Sequence, residues 1–269
     1  MHNGNGEELA FADAAADMLA TRHLKAGDSW HGFTGLPDGY AMLDPIKVTI
    51  LTPGMSRTGQ LEAFGVPAAL VTSYLDQQCS IEVEKTQDFS ILFLFSMGVT
   101  RGKWGSLVTA LFNFKRDLDR NAPLMNVLPG LVDVDAERYG RMGLADLATQ
   151  MHDTLKKTNQ MQLQAEAFSR LPAQTMANAD AYAHLVRGTV RPVRLADIAG
   201  RTVAVGVVPY PPGIPLLMPG ENAGLADGPF IGYLRALEEF DRLFPGFEHD
   251  LHGVDHVRGD YVISCVEDS

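Results

Sequence analysis

Two glutamates separated by one residue, Glu82 and Glu84, are the first candidates for chemistry in this sequence. The segment 81–84 is predicted to be a β-strand, and strand alternation places both carboxylates on the same face. Burying a carboxylate beside the apolar run 91–95 is costly unless a cation meets it. The residues alone favour the alternative, in which the carboxylates are solvated at an edge or pair with a nearby lysine or arginine.

A proline-rich segment, 209–221, reads PYPPGIPLLMPGE and contains five prolines. Proline fixes φ and removes the backbone N–H, so the segment is predicted to be a stiff loop. Such a loop can line a pocket at little ordering cost. A rigid connection between a strand and a helix is an equally good interpretation.

Histidines and acids cluster in the segment 247–256, FEHDLHGVDH. The spacing of His249, His252 and His256 would suit a metal site if the segment were helical. Gly253, together with the Pro-Gly pair before the segment, instead predicts a loop, in which the rings have no reason to converge. We therefore expect no metal here.

An aromatic pair flanks His-Gly at 30–33, WHGF. These rings could stack on a ligand, although a packed corner is the commoner outcome. The sequence has no G-x-S-x-G elbow, Walker loop or dinucleotide fingerprint.

Composition excludes several classes of protein. The 269 residues include 22 Lys and Arg against 33 Asp and Glu, a net charge of −11. This acidity argues against a nucleic-acid partner and weakly favours small cationic ligands, although solubility alone is the better explanation of the charge. Cys79 and Cys265 cannot form a disulfide framework, which predicts a reducing cytoplasm. No apolar run approaches the roughly 20 residues of a membrane helix, and residues 1–27 lack a basic, signal-like start.

The periodicities predict a mixed α and β protein with a division near residues 123–129. Predicted strands lie at 47–52, 81–84, 90–95, 189–194, 202–208 and 261–266. Predicted helices lie at 67–76, 103–121, 144–155, 161–170, 178–187 and 234–244. The first part is expected to form a sheet covered by the helix 103–121, whose stripe comprises Trp104, Leu107, Val108, Leu111, Phe112 and Leu118. The run 91–95 is expected to be buried on both faces.

Seven sequence words occur together and in order. They are DSWHGF at 28–33, LDPIKVTILTPG at 43–54, VEKT at 83–86, ILFLFSMG at 91–98, FKRD at 114–117, YPPGIPLLMPGE at 210–221 and FPGFEHDLHG at 244–253. Together they resemble the bacterial Orn/Lys/Arg decarboxylases, which depend on pyridoxal phosphate (PLP) and have the aspartate-aminotransferase-like fold type I. The resemblance covers residues 28 to about 266.

The family arrangement is a large PLP domain, a small α/β domain and then an α+β C-terminal domain. This chain resembles the last two, which implies an incomplete small domain over 1–122 and the C-terminal domain over 123–269. The resemblance makes Glu84 the substrate-binding residue that reaches the distal amino or guanidino group, through a charge-assisted contact. The segments 210–220 and 244–253 would lie beside the active-site entrance.

In the family, PLP forms a Schiff base with a lysine that directly follows a histidine. None of the seven lysines here follows a histidine: Lys25, Lys47, Lys85, Lys103, Lys115, Lys156 and Lys157. The other cofactor-binding groups belong to the large domain. The expectation is therefore no catalytic, cofactor-binding or metal residue on this chain, and no activity or PLP binding by the chain alone.

Three interpretations follow from the resemblance. The chain is a piece of a cytoplasmic, oligomeric lyase of basic amino-acid metabolism and polyamine synthesis, active only with a PLP-domain half. Alternatively, it is a non-catalytic paralogue that binds and modulates a full-length decarboxylase, or an inert remnant. Lost contact with the large domain further predicts self-association, or an apolar surface left exposed.

Overall fold

The computed structural model of the protein describes residues 25–27, 34–37, 39, 44, 46–56 and 59–267. The aromatic segment 30–33, singled out above, lies outside these residues. None of the described helices is long and apolar enough to span a bilayer.

The described residues form a mixed α and β structure, as the sequence predicts. The strands are β1 Lys47–Leu51, β2 Lys85–Thr86, β3 Ser90–Leu94, β4 Val190–Arg194, β5 Val208–Tyr210, β6 Asp250–His252, β7 Asp255–Val257 and β8 Asp260–Val266. The helices are α1 Ala68–Cys79, α2 Arg101–Asp119, α3 Leu124–Val127, α4 Pro129–Val134, α5 Ala136–Tyr139, α6 Leu144–Thr158, α7 Gln160–Phe168, α8 Asn178–Arg187 and α9 Pro229–Leu243.

The first sheet is antiparallel, in the order β1-β3-β2. Its hairpin is present, but the first strand is Lys85–Thr86 rather than the predicted 81–84. The reason is the turn, which is closed by a 2.9 Å bond from the Gln87 amide to the Ser90 carbonyl. A tight turn fixes hairpin register, so pairing begins directly beside it.

Strand β3 is not buried on both faces, contrary to the prediction. Ile91 and Phe93 are buried, whereas Leu94 on the opposite face is 40% exposed. Only one face of the sheet is covered by a helix within the described residues, and side chains alternate between the faces.

The helix that packs on this sheet is α1, and α2 lies against α1 instead of covering the sheet as predicted. The contact between the helices includes Tyr74 and Phe114, whose ring centroids are 5.2 Å apart. The Tyr74 hydroxyl also donates to Asp117 Oδ2 at 2.7 Å. Because α2 faces a helix, it buries Leu107, Ala110 and Phe114, while Phe112 of the predicted stripe is 71% exposed.

The segment after α2 turns through α3, α4 and α5 into the long helix α6. Asn121 Oδ1 accepts from the backbone amides of Ala145 and Asp146 at 2.9 and 3.2 Å, so it caps α6 from a distant point in the chain. Capping satisfies amides that a helix start leaves unpaired. The proposed division after residue 122 lies beside this contact, and the first hydrophobic core takes residues from both sides of it.

The second hydrophobic core lies under the sheet β4-β8-β7, the pair β5-β6 and the helix α9. Helix α8 ends at Gly188, whose φ of 71° fits the predicted glycine cap. The predicted strand 202–208 is reduced to Val208–Tyr210, because residues 202–207 make only isolated bridges, such as Val203 to Cys265. Phe240, Phe244 and Phe247, from α9 and the turn after it, pack into the first core instead.

Candidate functional site

Glu84 directly precedes β2, at the open end of the hairpin. Its amide donates to the Leu92 carbonyl at 2.9 Å, and its side chain is exposed. Within the described part of the chain, the Glu84 carboxylate makes no hydrogen bond or ion pair. In particular, it pairs with neither Lys85 nor Arg101. The carboxylate is therefore available to a group from outside these residues.

A cavity of about 340 Å³ lies at the other end of the hairpin, between its turn and the second part of the chain. We call it the interdomain cleft because its lining residues come from both sides of the proposed division after residue 122. Residues 86–90 of the hairpin form one side, while Gln160, Tyr233 and His249 contribute to the other. Its carboxylates, amides and imidazole could hold a polar ligand among apolar side chains.

Asp88 contributes a carboxylate to the interdomain cleft. Its side chain keeps a partly accessible surface in the cleft, and Gln160 Nε2 donates to its Oδ1 at 3.1 Å. Burial raises the pKa of Asp88, whereas nearby His249 and the Gln160 hydrogen bond lower it. Burial is the largest effect, so the groups around Asp88 do not fully offset the cost of removing its charged carboxylate from water.

A buried carboxylate, that of Asp241, holds one wall of the cleft in place. It accepts from the amide of His249 at 3.1 Å, from His249 Nδ1 at 2.5 Å and from the Tyr261 hydroxyl. Burial raises the pKa of Tyr261 well above its usual range, and the adjacent Asp241 raises it further. The phenol thus stays protonated as a donor, and the bond at Nδ1 fixes the orientation of the His249 ring.

The three histidines of 247–256 do not converge. His249 bonds Asp241, His252 lies 3.7 Å from Asp250, and the ring of His256 lies 4.8 Å from that of Tyr261. The described residues contain no group of three side chains able to hold a metal. The predicted loop is in part the strands β6 and β7, which pair with β5 and β8 and point alternate side chains apart.

The proline-rich segment begins in β5 and continues beside the cleft. The peptide bonds Tyr210-Pro211 and Pro211-Pro212 are cis, and Tyr210 and Pro211 line the cleft. Glu221 closes the segment by accepting from the Met218 amide at 2.6 Å. Of the two interpretations offered by the sequence, the geometry favours the one in which this loop lines a pocket.

The lysines do not form a cofactor site. Lys85 is half-buried and the other six are exposed, and none lines the interdomain cleft. A PLP lysine needs an enclosing pocket with groups for the ring and the phosphate. The residues that the structure describes do not fit PLP.

The sequence reasoning missed Asp88, Gln160 and Asp241. Asp241 could have been identified from the sequence, since it lies four residues after Leu237 and so falls on the apolar face of its helix. A carboxylate in such a position needs hydrogen-bonding partners. Asp88 and Gln160 are 72 positions apart, and no local pattern joins them.

Comparison with known proteins gives two family matches in order. Residues 8–103 match the major domain of Orn/Lys/Arg decarboxylases, and residues 161–267 match the C-terminal domain of the same family.

Curated relatives agree with this assignment. The chain is 46% identical over 266 residues to the biodegradative arginine decarboxylase of Escherichia coli, covering 97% of this chain and 35% of that protein. It is 43% identical to lysine decarboxylase LdcA of Pseudomonas aeruginosa, covering 91% of this chain and 33% of that protein. The chain therefore spans about a third of the length of these relatives.

Solved structures show the same relationship. Lysine decarboxylase A from Pseudomonas aeruginosa superposes with a TM-score of 0.83 at 42% identity, over 91% of this chain and 33% of that one. The constitutive lysine decarboxylase of E. coli gives 0.82 at 38% identity, over 92% and 35%. The mixed α and β architecture is thus that of part of a decarboxylase. The chain belongs to the Orn/Lys/Arg decarboxylase family.

Proposed function

We propose that this chain supplies the substrate-side wall of a PLP-dependent decarboxylase of basic amino acids. The observation that carries the proposal is the ordered pair of family matches, together with high identity to proteins named for arginine and lysine decarboxylation. The cofactor is held by residues outside this chain, because the lysines present are exposed or half-buried and lie away from the cleft.

In this function Glu84 binds the distal cation of the substrate. Its exposed carboxylate, without a partner among the described residues, fits a contact completed only when the substrate and the PLP-bearing portion are present. A charge-assisted hydrogen bond would then fix the orientation of the substrate. PLP, when bound, supplies the electron sink for decarboxylation.

Reconstitution tests the proposal. The chain is coexpressed with the PLP-bearing portion of the E. coli biodegradative arginine decarboxylase, from which the equivalent of this chain has been deleted. Carbon dioxide release from arginine, lysine and ornithine is measured for each part and for the pair. We expect activity only for the pair, as an assembly with PLP absorbance. The chain alone, treated with PLP and borohydride, should yield no labelled lysine.

Two results would overturn the proposal. One is an assembled, PLP-loaded pair that decarboxylates none of the three substrates. The other is an inactive pair combined with a chain that binds an intact decarboxylase and changes its rate, which would make the chain a modulator.

A further inference from the structure

Helix α8 carries an apolar stripe on its outer side. Tyr182 and Val186 lie one helical turn apart, and they are 62% and 68% exposed. Ala179 lies on the same side of the helix and is also exposed, whereas Ala181 is the one residue of this helix that is buried. Single exposed apolar residues are common, but two large ones adjacent on one helix form a patch that marks a contact surface.

Two opposite charges flank this stripe. Asp180 lies in the first turn of the helix and Arg187 in the last, and both are exposed. They are seven positions apart, which is close to two full turns, so both project from the same flank about 10 Å apart along the axis. We call Ala179, Asp180, Tyr182, Val186 and Arg187 together the α8 face. It is acidic at one end, apolar in the middle and basic at the other end.

Such a face is complementary to itself in one orientation. When two copies of the helix meet antiparallel about a two-fold axis, the charged flank of one lies beside the same flank of the other. Asp180 then lies opposite the partner's Arg187, and symmetry repeats the pair at the other end. Tyr182 meets the partner's Val186 between them. A parallel arrangement would instead place each Asp180 beside the partner's Asp180, which repulsion disfavours.

We propose that the α8 face is a self-association surface, on which a second copy of this chain packs its own α8 antiparallel. The apolar stripe supplies the attraction and the two ion pairs set the orientation. A helix of ten residues buries a small area, below the roughly 1,200 Å² of a stable interface, so the dimer is weak and reversible. The contact uses the C-terminal domain alone and requires neither PLP nor a second portion.

Sedimentation velocity of the full chain tests the surface. Over a roughly hundredfold range of protein concentration, the average mass should rise from that of a monomer towards that of a dimer. Asp180→Arg and Arg187→Asp each place like charges opposite one another twice per dimer, and each should weaken dimerisation roughly tenfold. An equimolar mixture of the two variants should recover it, because every mixed pair again has two opposite-charge contacts. A change in the folding of either variant cannot produce that recovery.

Apolar variants separate this surface from other exposed patches. Tyr182→Ser should weaken dimerisation, because it removes the ring at the centre of the α8 face. The matched control is Phe112→Ser, at a side chain that is 71% exposed on α2, in the first part of the chain. It should dimerise as the unchanged protein does.

Thermal unfolding of each variant checks that it is folded. The proposal is overturned if the chain stays monomeric over the whole range, if both charge reversals dimerise normally, or if their mixture does not recover. Loss of dimers in Phe112→Ser but not in Tyr182→Ser would also overturn it, by placing the contact on the surface left by the missing portion. These outcomes are read without decarboxylase activity, so they are independent of the proposed function.

Discussion

The hydroxyl of Tyr261 donates to Asp241 Oδ2, which ties the last strand, β8, to the helix α9 through a buried carboxylate. Asp241 is 6% exposed and Tyr261 is 1% exposed. The same carboxylate holds His249 at the wall of the interdomain cleft. One buried charge thus sets the relative position of three elements, at a cost that only its donors offset.

Replacement of Tyr261 by Phe should destabilise the protein. The ring would keep its packing, but Asp241 would lose one donor, and the free energy of unfolding should fall by about 1–3 kcal/mol. Urea unfolding followed by circular dichroism measures the change. Tyr182→Phe is the control, because Tyr182 is 62% exposed, and it should change stability by less than about 0.5 kcal/mol. Equal effects of the two variants would contradict the role of this bond.

Gly65→Ala should also destabilise the protein. A Cβ at Gly65 would lie 2.3 Å from Nδ1 of His152, whose ring is buried against Phe89 and bonded through Nε2 to the Glu62 carbonyl at 2.9 Å. The His152 ring is 1% exposed and held by this bond, so overpacking should cost about 1–3 kcal/mol.

The control for Gly65→Ala is a glycine with open surroundings. Gly105 lies within α2, and nothing stands within 4 Å of an added Cβ. Gly105→Ala should raise stability by roughly 0.5–1 kcal/mol, since alanine favours the helix. Thermal melts of the two variants should therefore shift in opposite directions, and shifts in the same direction would refute the packing argument.

Asp88→Asn should stabilise the protein at neutral pH. Burial raises the pKa of Asp88 above its unfolded value, so the folded state retains a proton that the unfolded state releases. Stability from this group is present below the unfolded pKa and is lost as pH rises through the folded pKa. Melting temperatures across pH 4–8 should show the variant gaining most at high pH and nothing at low pH. A gain independent of pH would exclude desolvation of Asp88 as its cause.

Glu84→Gln should impair the reconstituted decarboxylase. It removes the charge that would meet the distal cation of the substrate, at a loss of about 1.5–3 kcal/mol, or roughly tenfold to a hundredfold in kcat/KM. The PLP absorbance should not change, because Glu84 is assigned to the substrate tail. Glu82→Gln, at an exposed neighbour, is the control and should leave kinetics unaltered. Normal turnover by Glu84→Gln would remove the residue from the site.

Much of the fold could be predicted from local pattern. The helix 178–187 and its glycine cap, and the strand 47–52, were predicted nearly at their observed bounds. The predictions were wrong where tertiary contacts determine which residues are buried and where strands begin. Phe112 fits a helical stripe but is exposed, because α2 packs on another helix through Phe114. The first strand of the hairpin is Lys85–Thr86 and not the predicted 81–84. The turn sets the register of the hairpin, and the alternation of apolar residues does not.

The candidate site was less accessible to sequence reasoning. The composition of the Pro-rich loop predicts a stiff segment that can line a pocket. In the structure this loop does line the cleft. The spacing of His249, His252 and His256 raises a metal site that the loop residues argue against, and spacing cannot show that the partner of His249 is Asp241 on the preceding helix. The raised pKa of Asp88 and the unpaired Oε1 of Gln160 both result from burial, which depends on how the two parts of the chain pack.

Three of the phenylalanines of the first core, Phe240, Phe244 and Phe247, are synthesised long after the residues they pack against. As the chain leaves the ribosome, residues up to about 155 emerge with their core incomplete, and its apolar surface remains open until some 85 further residues have been added. Contacts so distant in sequence are slow to form. Apolar surface exposed at this stage favours aggregation, and a stop codon before residue 240 would leave that surface uncovered.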